Sequence, residues 1–418
     1  MKEQILRAED RLLLAIAIPD ALPKEDLAQL GDDPQLSWQE THRLALHNRL
    51  GSLAWALIDD EPLRRAVDEE ARSRWRLAHR AVVRKDAAAR DQLAELAPVF
   101  GAQEIRPLLY KGLDFQDRYY SRERLRSFSD LDIIVDRDDA LRADGALRSA
   151  GYLPWSANLP LAYYVRFHLH AAYSHPGWPM PLELHWSLDS PYAETSERVR
   201  PILAAATTTP EFGPHVLRPM ATDALALMAI HLEKHVGLSA RLPSPEARLK
   251  SVILAGGLVW VLDVIAWMRT EREQDEERVV DRFRALGAEG SLAVALRLAC
   301  DLHRASLPEW ARALAAQVRP NPSLACRVAY PDLSSGRGVT NLGERTRRFL
   351  LTPLAGLTFR PIRVLEAITP RSRSPGTLRP PWRSRMARFA QLGALALANL
   401  LAIARFRLRG RHGRATRS

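Results

Sequence analysis

The chain has 418 residues, 47% hydrophobic and 26% charged, with a formal net charge of +11. That is length for two or three compact units of ordinary globular composition, which excludes collagen-like, wholly disordered and disulfide-framework proteins. With only Cys300 and Cys326, neither a disulfide scaffold nor a cysteine-rich zinc site can be built. The positive charge is local. Residues 371–418 hold 12 arginines and no Asp or Glu, so the other 370 residues come to −1. A near-neutral body with a basic tail does not read as a nucleic-acid-binding protein throughout. The N-terminal residues carry acids early and lack a clean apolar stretch with a cleavage site, so the expected compartment is the reducing cytoplasm.

Residues 1–98 read as a helical region, with apolar residues spaced by three and four. Ser37 is the expected N-cap of one helix, with Glu40 closing a capping box. Near residue 101 the texture changes. Residues 105–110 form a short apolar run that ends in Lys111-Gly112, a strand entering a turn. A short helix over 113–120, an arginine-rich loop and a β-branched strand over 131–135 follow. Residues 138–150 read as a helix closed by Gly151. Residues 163–173 and 182–188 alternate as half-buried strands do, so residues 99–200 are expected to form an α+β core. The helical period returns over 201–318, with helices at 224–236, 252–268, 276–286 and 291–303. Pro243 and Pro245 interrupt the stretch before the second of these. Residues 319–418 read as a linker, apolar helices and an arginine-rich tail.

The phrase Ser129-Asp130-Leu131-Asp132-Ile133-Ile134-Val135 carries the most chemistry. Side chains at i and i+2 of a strand share a face, so Asp130 and Asp132 present two carboxylates together. Close like charges repel unless a cation lies between them. Paired hard oxygens suit Mg²⁺, which is commonly held by one or two carboxylates plus substrate phosphates. An Asp-x-Asp that only punctuates a loop-to-strand junction is the plain alternative. Glu183, in Leu182-Glu183-Leu184-His185-Trp186, is a third acid. If its strand pairs beside residues 130–135, three carboxylates converge on one edge. His185 shares the face of Glu183 and can serve a carboxylate, while Trp186 should be core.

In chain order, Leu108-Leu-Tyr-Lys111-Gly112, Arg126-Ser-Phe-Ser129-Asp130-Leu-Asp132 and Leu182-Glu183-Leu-His185-Trp186 resemble the uncharacterised nucleotidyltransferase family of the polymerase β-like superfamily. His231-Leu-Glu-Lys234-His235 and Trp260-Val-Leu-Asp263 are similar to the family's His-x-x-Lys-His and Trp-x-x-Asp helices, and Arg360-Pro361-Ile-Arg363 is a weaker echo. The clear motifs lie within residues 105–265. The resemblance implies metal-assisted nucleotidyl transfer. Asp130 and Asp132 would hold Mg²⁺, or Mn²⁺ in its place, against the triphosphate of an NTP. Glu183 would ligate a second ion or help to deprotonate the attacking hydroxyl. Lys111 and Arg126 would be point charges for phosphate, and Gly112 would let backbone amides approach one. Ser129 would touch phosphate or bond its own backbone. Two departures stand out. Lys111-Gly112, 18 residues before Asp130, replaces the superfamily's Gly-Ser or Gly-Gly turn, and the stretch between His235 and Trp260 is long.

His231 and His235 lie four apart on one helix face, where a contact with the core is favoured over zinc. Asp263 is expected to pair with Arg269 or Lys234. His168 and His170 have no assigned role. Residues 389–404 lack charge and are flanked by arginines on both sides. They are slightly short for a bilayer span, so a helix lying on an anionic membrane surface or docked on the body fits better. The expected architecture is α+β, a small mixed β-sheet nucleotidyltransferase core flanked by N- and C-terminal helical regions. The expected activity is Mg²⁺-dependent transfer from an NTP to an acceptor: a small molecule, protein or sugar. The competing readings are a catalytically inactive member of the fold, acting in binding or membrane-surface assembly, and a nucleotide-sugar glycosyltransferase.

Overall fold

The computed structural model describes residues 6–18, 24–58, 67–120, 125–155, 161–167, 169–188, 198–271 and 273–320, which belong to one compact unit, residues 1–329. The linker, the apolar stretch at 389–404, the arginine-rich tail, the 360–363 motif and His168 lie outside the described residues.

The N-terminal region is helical as its spacing predicts: α1 (Ala8–Ala17), α2 (Lys24–Gly31), α3 (Trp38–His47), α4 (Gly51–Ile58) and the long α5 (Glu69–Gly101). Ser37 caps α3, its hydroxyl accepting from the Glu40 amide at 3.2 Å. The other half of the expected capping box is absent. The Ser37 amide donates to Glu9 of α1 at 3.1 Å, while the Glu40 carboxylate takes Arg43 at 2.6 Å. The cap therefore ties two helices together.

The core comprises β1 (Leu108–Tyr110), α6 (Gly112–Tyr119), β2 (Leu131–Ile134), α7 (Ala140–Ser149), β3 (Leu153–Pro154), α8 (Leu161–Phe167), β4 (His170–His175), β5 (Trp178–His185), α9 (Val199–Ala205), β6 (Thr207–Thr208) and β7 (Leu217–Arg218). The strands form one mixed sheet in the order β3-β4-β5-β2-β1-β7-β6. β2 runs antiparallel to β1 and parallel to β5. The strand expected over 163–173 divides into α8 and β4, because the apolar run Leu161-Ala-Tyr-Tyr-Val is too short for either period to decide. One sheet face is apolar. Leu109, Leu131, Ile133, Leu182 and Leu184 join Leu93, Leu96 and Phe100 of α5 and Leu147 of α7 in one buried cluster. The alternate residues Tyr110, Asp132, Glu183 and His185 face the other way.

The remaining helices are α10 (Ala221–Val236), α11 (Pro245–Leu254), α12 (Leu258–Thr270), α13 (Glu276–Ala285), α14 (Glu289–His303) and α15 (Glu309–Ala316). The single helix expected over 252–268 is two, bent by 116°. Gly256 takes φ +70° at the break, and a side chain there would meet the His47 carbonyl at 2.9 Å. Glycine supplies both the conformation and the close approach. Among the described residues no single helix is long and apolar enough to cross a membrane.

The same corner joins the N-terminal helices to the rest. Asn48 is wholly buried. Its amide donates to Leu44 O and Ile253 O, both at 3.0 Å, and its carbonyl accepts the Leu258 amide at 3.2 Å. Residues of α1, α3 and α4 accordingly share one apolar cluster with α10, α12 and α14. Replacing Asn48 by Ala strands buried backbone groups on both sides, so Asn48→Ala is expected to lower stability by about 2–4 kcal/mol, measured by urea unfolding.

Candidate active site

Strand register assembles the site. Asp132 lies opposite Tyr110 on β1 and opposite Glu183 on β5. The parallel pairing sets the Asp132 and Glu183 side chains next to each other on the non-apolar face, with Asp130 just before β2. Across the antiparallel pair, His170 lies opposite His185. One row thus crosses the sheet, and its members touch. The His185 Nε2 stands 2.8 Å from Asp132 Oδ1 and 3.2 Å from Glu183 Oε2. Lys111 Nζ reaches the same Asp132 oxygen at 3.1 Å, passing over the Tyr110 ring at 4.3 Å from its centroid. Lys111 itself has φ +54°, a left-handed value uncommon outside glycine. The chain turns there from β1 into α6, and the turn sends the ammonium back over the sheet.

Burial, then the negative charges of Asp132 and Glu183, push the Asp130 carboxyl up to about 6, against the pull of Lys111 and Arg49. Glu183 goes the other way. Burial would raise it, but the hydrogen bond and charge of His185, with Lys111, bring it down to about 2. Burial opposes the charge of Lys111, yet Asp132, Tyr110 and Glu183 raise its ammonium above the ordinary range. The three acids therefore do not share their burden equally: Asp132 and Glu183 have basic neighbours in contact, and Asp130 carries the excess repulsion.

The other residues singled out by sequence sit differently. Arg126 is buried and grips Asp263 with two hydrogen bonds, Nε to Oδ1 at 2.8 Å and Nη2 to Oδ2 at 2.7 Å. Tyr120 donates to the same carboxylate at 2.9 Å. Asp263 thus pairs with Arg126, not with Arg269 or Lys234 as expected, and Arg269 meets Ser306 at 2.9 Å. A chain separation of 137 residues hides such a pair from local reading. Gly112 is packed under Phe128, whose Cβ would stand 2.9 Å from an added Cβ, so close packing alone requires the glycine. Ser129 is exposed on the turn before β2. His231 and His235 stack beside one another, with ring centroids 4.5 Å apart and each 4.9 Å from Trp260. After burial, the positive field of Lys111 lowers His231, and Lys234 with Lys111 lowers His235. This aromatic group therefore borders the carboxylate row.

Two residues escaped sequence reasoning. Arg49 lies in the turn between α3 and α4 with φ +61°, its guanidinium 5.3 Å from the centroid of Trp260. Burial and then Arg126 lower it, while Asp130, Asp263 and Asp132 hold it charged. Of the three non-glycine residues with positive φ among those described, Arg49 and Lys111 both lie at this site. Strained backbone collects where side-chain direction matters. Nothing local in the helical N-terminal pattern marks Arg49. His170 is the second. Its signal was available in the alternation of β4, but only the register against β5 shows which residue it opposes.

Residues 34–303, well over half of the chain, match the model of a family described as uncharacterised nucleotidyltransferase. A search of curated proteins returns no match. The matched span takes in the turn bearing Arg49, the whole carboxylate row, and the helices that carry His231, Trp260 and Asp263. With the Asp-x-Asp strand paired to an acid-bearing neighbour on a mixed sheet, the chain belongs to this nucleotidyltransferase family.

Proposed function

We propose that the protein transfers a nucleotidyl group from an NTP to an acceptor hydroxyl, with a divalent cation held by Asp130, Asp132 and Glu183. The observation that carries this reading is the parallel register that sets Asp132 beside Glu183, with Asp130 adjoining. The donor set is all oxygen, which fits Mg²⁺ first and Mn²⁺ in its place. Burial first, and then the charges of Asp132 and Glu183, raise the Asp130 carboxyl, and a cation would relieve the second of these. When bound, the cation supplies charge neutralisation for the triphosphate and for the leaving pyrophosphate.

Lys111 and Arg49 bring positive charge to the acids and suit the phosphate oxygens. Gly112 begins α6, directly after Lys111. Arg126, closed onto Asp263, fixes the loop that bears Asp130; Ser129 stays accessible to a phosphate oxygen. The acceptor oxygen forms a bond to the α-phosphorus while the bond to the β-phosphate bridge breaks, and the acceptor's proton passes to a site carboxylate. The acceptor is a small molecule, a protein or a sugar. This reading keeps the protein in the cytoplasm, with the arginine-rich tail on the inner face of an anionic membrane. One observation favours an inactive relative instead: Lys111 and His185 already compensate Asp132 from within.

Two measurements test the reading. Asp130 ionises near 6 in the folded chain and near 4 unfolded, so folding favours its neutral form. Without divalent cations at pH 7.5, Asp130→Asn is therefore expected to gain about 1–3 kcal/mol of stability. The gain shrinks as pH falls from 6 toward 4 and is absent below, and melting curves across that range would show it. Added Mg²⁺ should stabilise the wild type and leave the variant unmoved.

The second is Mg²⁺-dependent labelling by α-phosphate-labelled NTPs, in lysate and with protein alone. Label is expected in the wild type and lost in Asp130→Ala/Asp132→Ala, with pyrophosphate released. Release of a nucleoside diphosphate from a supplied nucleotide sugar, with no label from NTPs, would indicate glycosyl transfer instead. Absence of both label and NTP-dependent thermal shift would establish the inactive reading.

A further inference from the structure

We propose that His170, Glu183 and His185 form a site for a transition-metal ion of the Zn²⁺ class, chemically separate from the Mg²⁺ position. The proposal shares Glu183, and Asp132 where it completes the shell, with the function above but stands without it. The three residues meet because of register. His170 on β4 lies directly opposite His185 on β5. Glu183, two residues before His185, shares its face and lies diagonal to His170. All three ligand atoms fall within 4.8 Å of one another.

The distances have the scale of a coordination shell. Two atoms each about 2.0–2.1 Å from one ion stand about 3.4 Å apart when the shell is tetrahedral. Here the His185 Nε2 is 3.2 Å from Glu183 Oε2, and the His170 Nε2 is 3.8 Å from Glu183 Oε1. Asp132 Oδ1, at 2.8 Å from His185 Nε2, offers a fourth ligand atom. The site is also built. His185 is 2% exposed and held edge-on by Tyr110, centroid to centroid 5.2 Å, with the His170 ring 4.8 Å away.

The plainer account makes His185 a hydrogen-bonding support for the two carboxylates. That explains His185 well. It gives no part to the second imidazole, which register brings within 3.8 Å of the same glutamate. Ligand chemistry decides the ion. Two imidazoles and a carboxylate suit Zn²⁺, Co²⁺ and their neighbours, whereas Mg²⁺ keeps to oxygen. Glu183 presents one oxygen to each histidine.

Co²⁺ titration into chelator-stripped full-length protein tests the site without relying on activity. One equivalent should give the visible d–d bands of a low-coordinate cobalt centre. The bands should persist in large excess Mg²⁺ and disappear on adding Zn²⁺. His170→Ala should weaken Co²⁺ binding by about tenfold or more. His170→Gln serves as the second variant if alanine impairs folding, which circular dichroism would reveal. No micromolar binding, displacement by equimolar Mg²⁺, or unchanged affinity in a folded His170 variant would each overturn the proposal. Asp130→Asn separates the two readings. Retained Co²⁺ bands with no NTP-dependent shift in either wild type or variant would uphold the metal site and remove nucleotidyl transfer. NTP labelling without Co²⁺ binding would do the reverse.

Discussion

The parallel pairing of β2 with β5 is the constraint on which the site depends. It places Asp132 and Glu183 side by side, an arrangement that two ionised acids resist. The sheet can hold it because its other face is strongly apolar: shifting either strand by one residue would turn Leu131, Ile133, Leu182 and Leu184 out of the cluster with α5 and α7. The apolar face thus enforces the register, and the register enforces the acidic row. What repulsion remains is met locally by Lys111 and His185 on Asp132.

Two stretches of chain converge on that row, each tied down by a buried polar device. The Asp130 loop is anchored through Arg126 to Asp263 on α12, a pair with almost no exposure. Removing one partner of such a pair costs about 3–5 kcal/mol, because the other charge is left buried alone. The Arg49 turn is anchored by Asn48 to the bend between α11 and α12. That bend exists because Gly256 can take a positive φ against His47. The helical regions are therefore walls of the site rather than appendages. They bring Arg49, Trp260 and the two stacked histidines to an otherwise open sheet face.

How much of this was legible in sequence follows from the range of each interaction. The Asp-x-Asp strand, its neighbour with Glu183, and most helices were readable, since period and β-branching are local. Trp186 was correctly core, at zero exposure. The capping box at Ser37 was half right, because the competing acceptor Glu9 comes from another helix. α8 was misread as strand, since seven residues do not separate two periods. The two-residue strands β3, β6 and β7 were missed because so short a segment has no period. Asp263 found Arg126 rather than a cation nearby in sequence, and Arg49 arrived from a region with no site-like composition. Tertiary placement, not residue chemistry, was the missing information in each case.

The row of side chains also grades from hard to borderline along one direction of the sheet. At the β2 end the donors are carboxylate oxygens, Asp130 and Asp132; toward β4 they become imidazole nitrogens, His185 and then His170, with Glu183 between. A single ion species cannot be best matched to both ends. Lys111 sits at the oxygen end and bonds the Asp132 oxygen, so any cation arriving there meets an ammonium already in contact with its ligand. At the nitrogen end the His185 ring already contacts oxygens of Asp132 and Glu183. For the two proposed ions the sheet would therefore set unequal conditions of entry: displacement or sharing of a lysine on one side, and separation of the His185 ring from its carboxylate partners on the other.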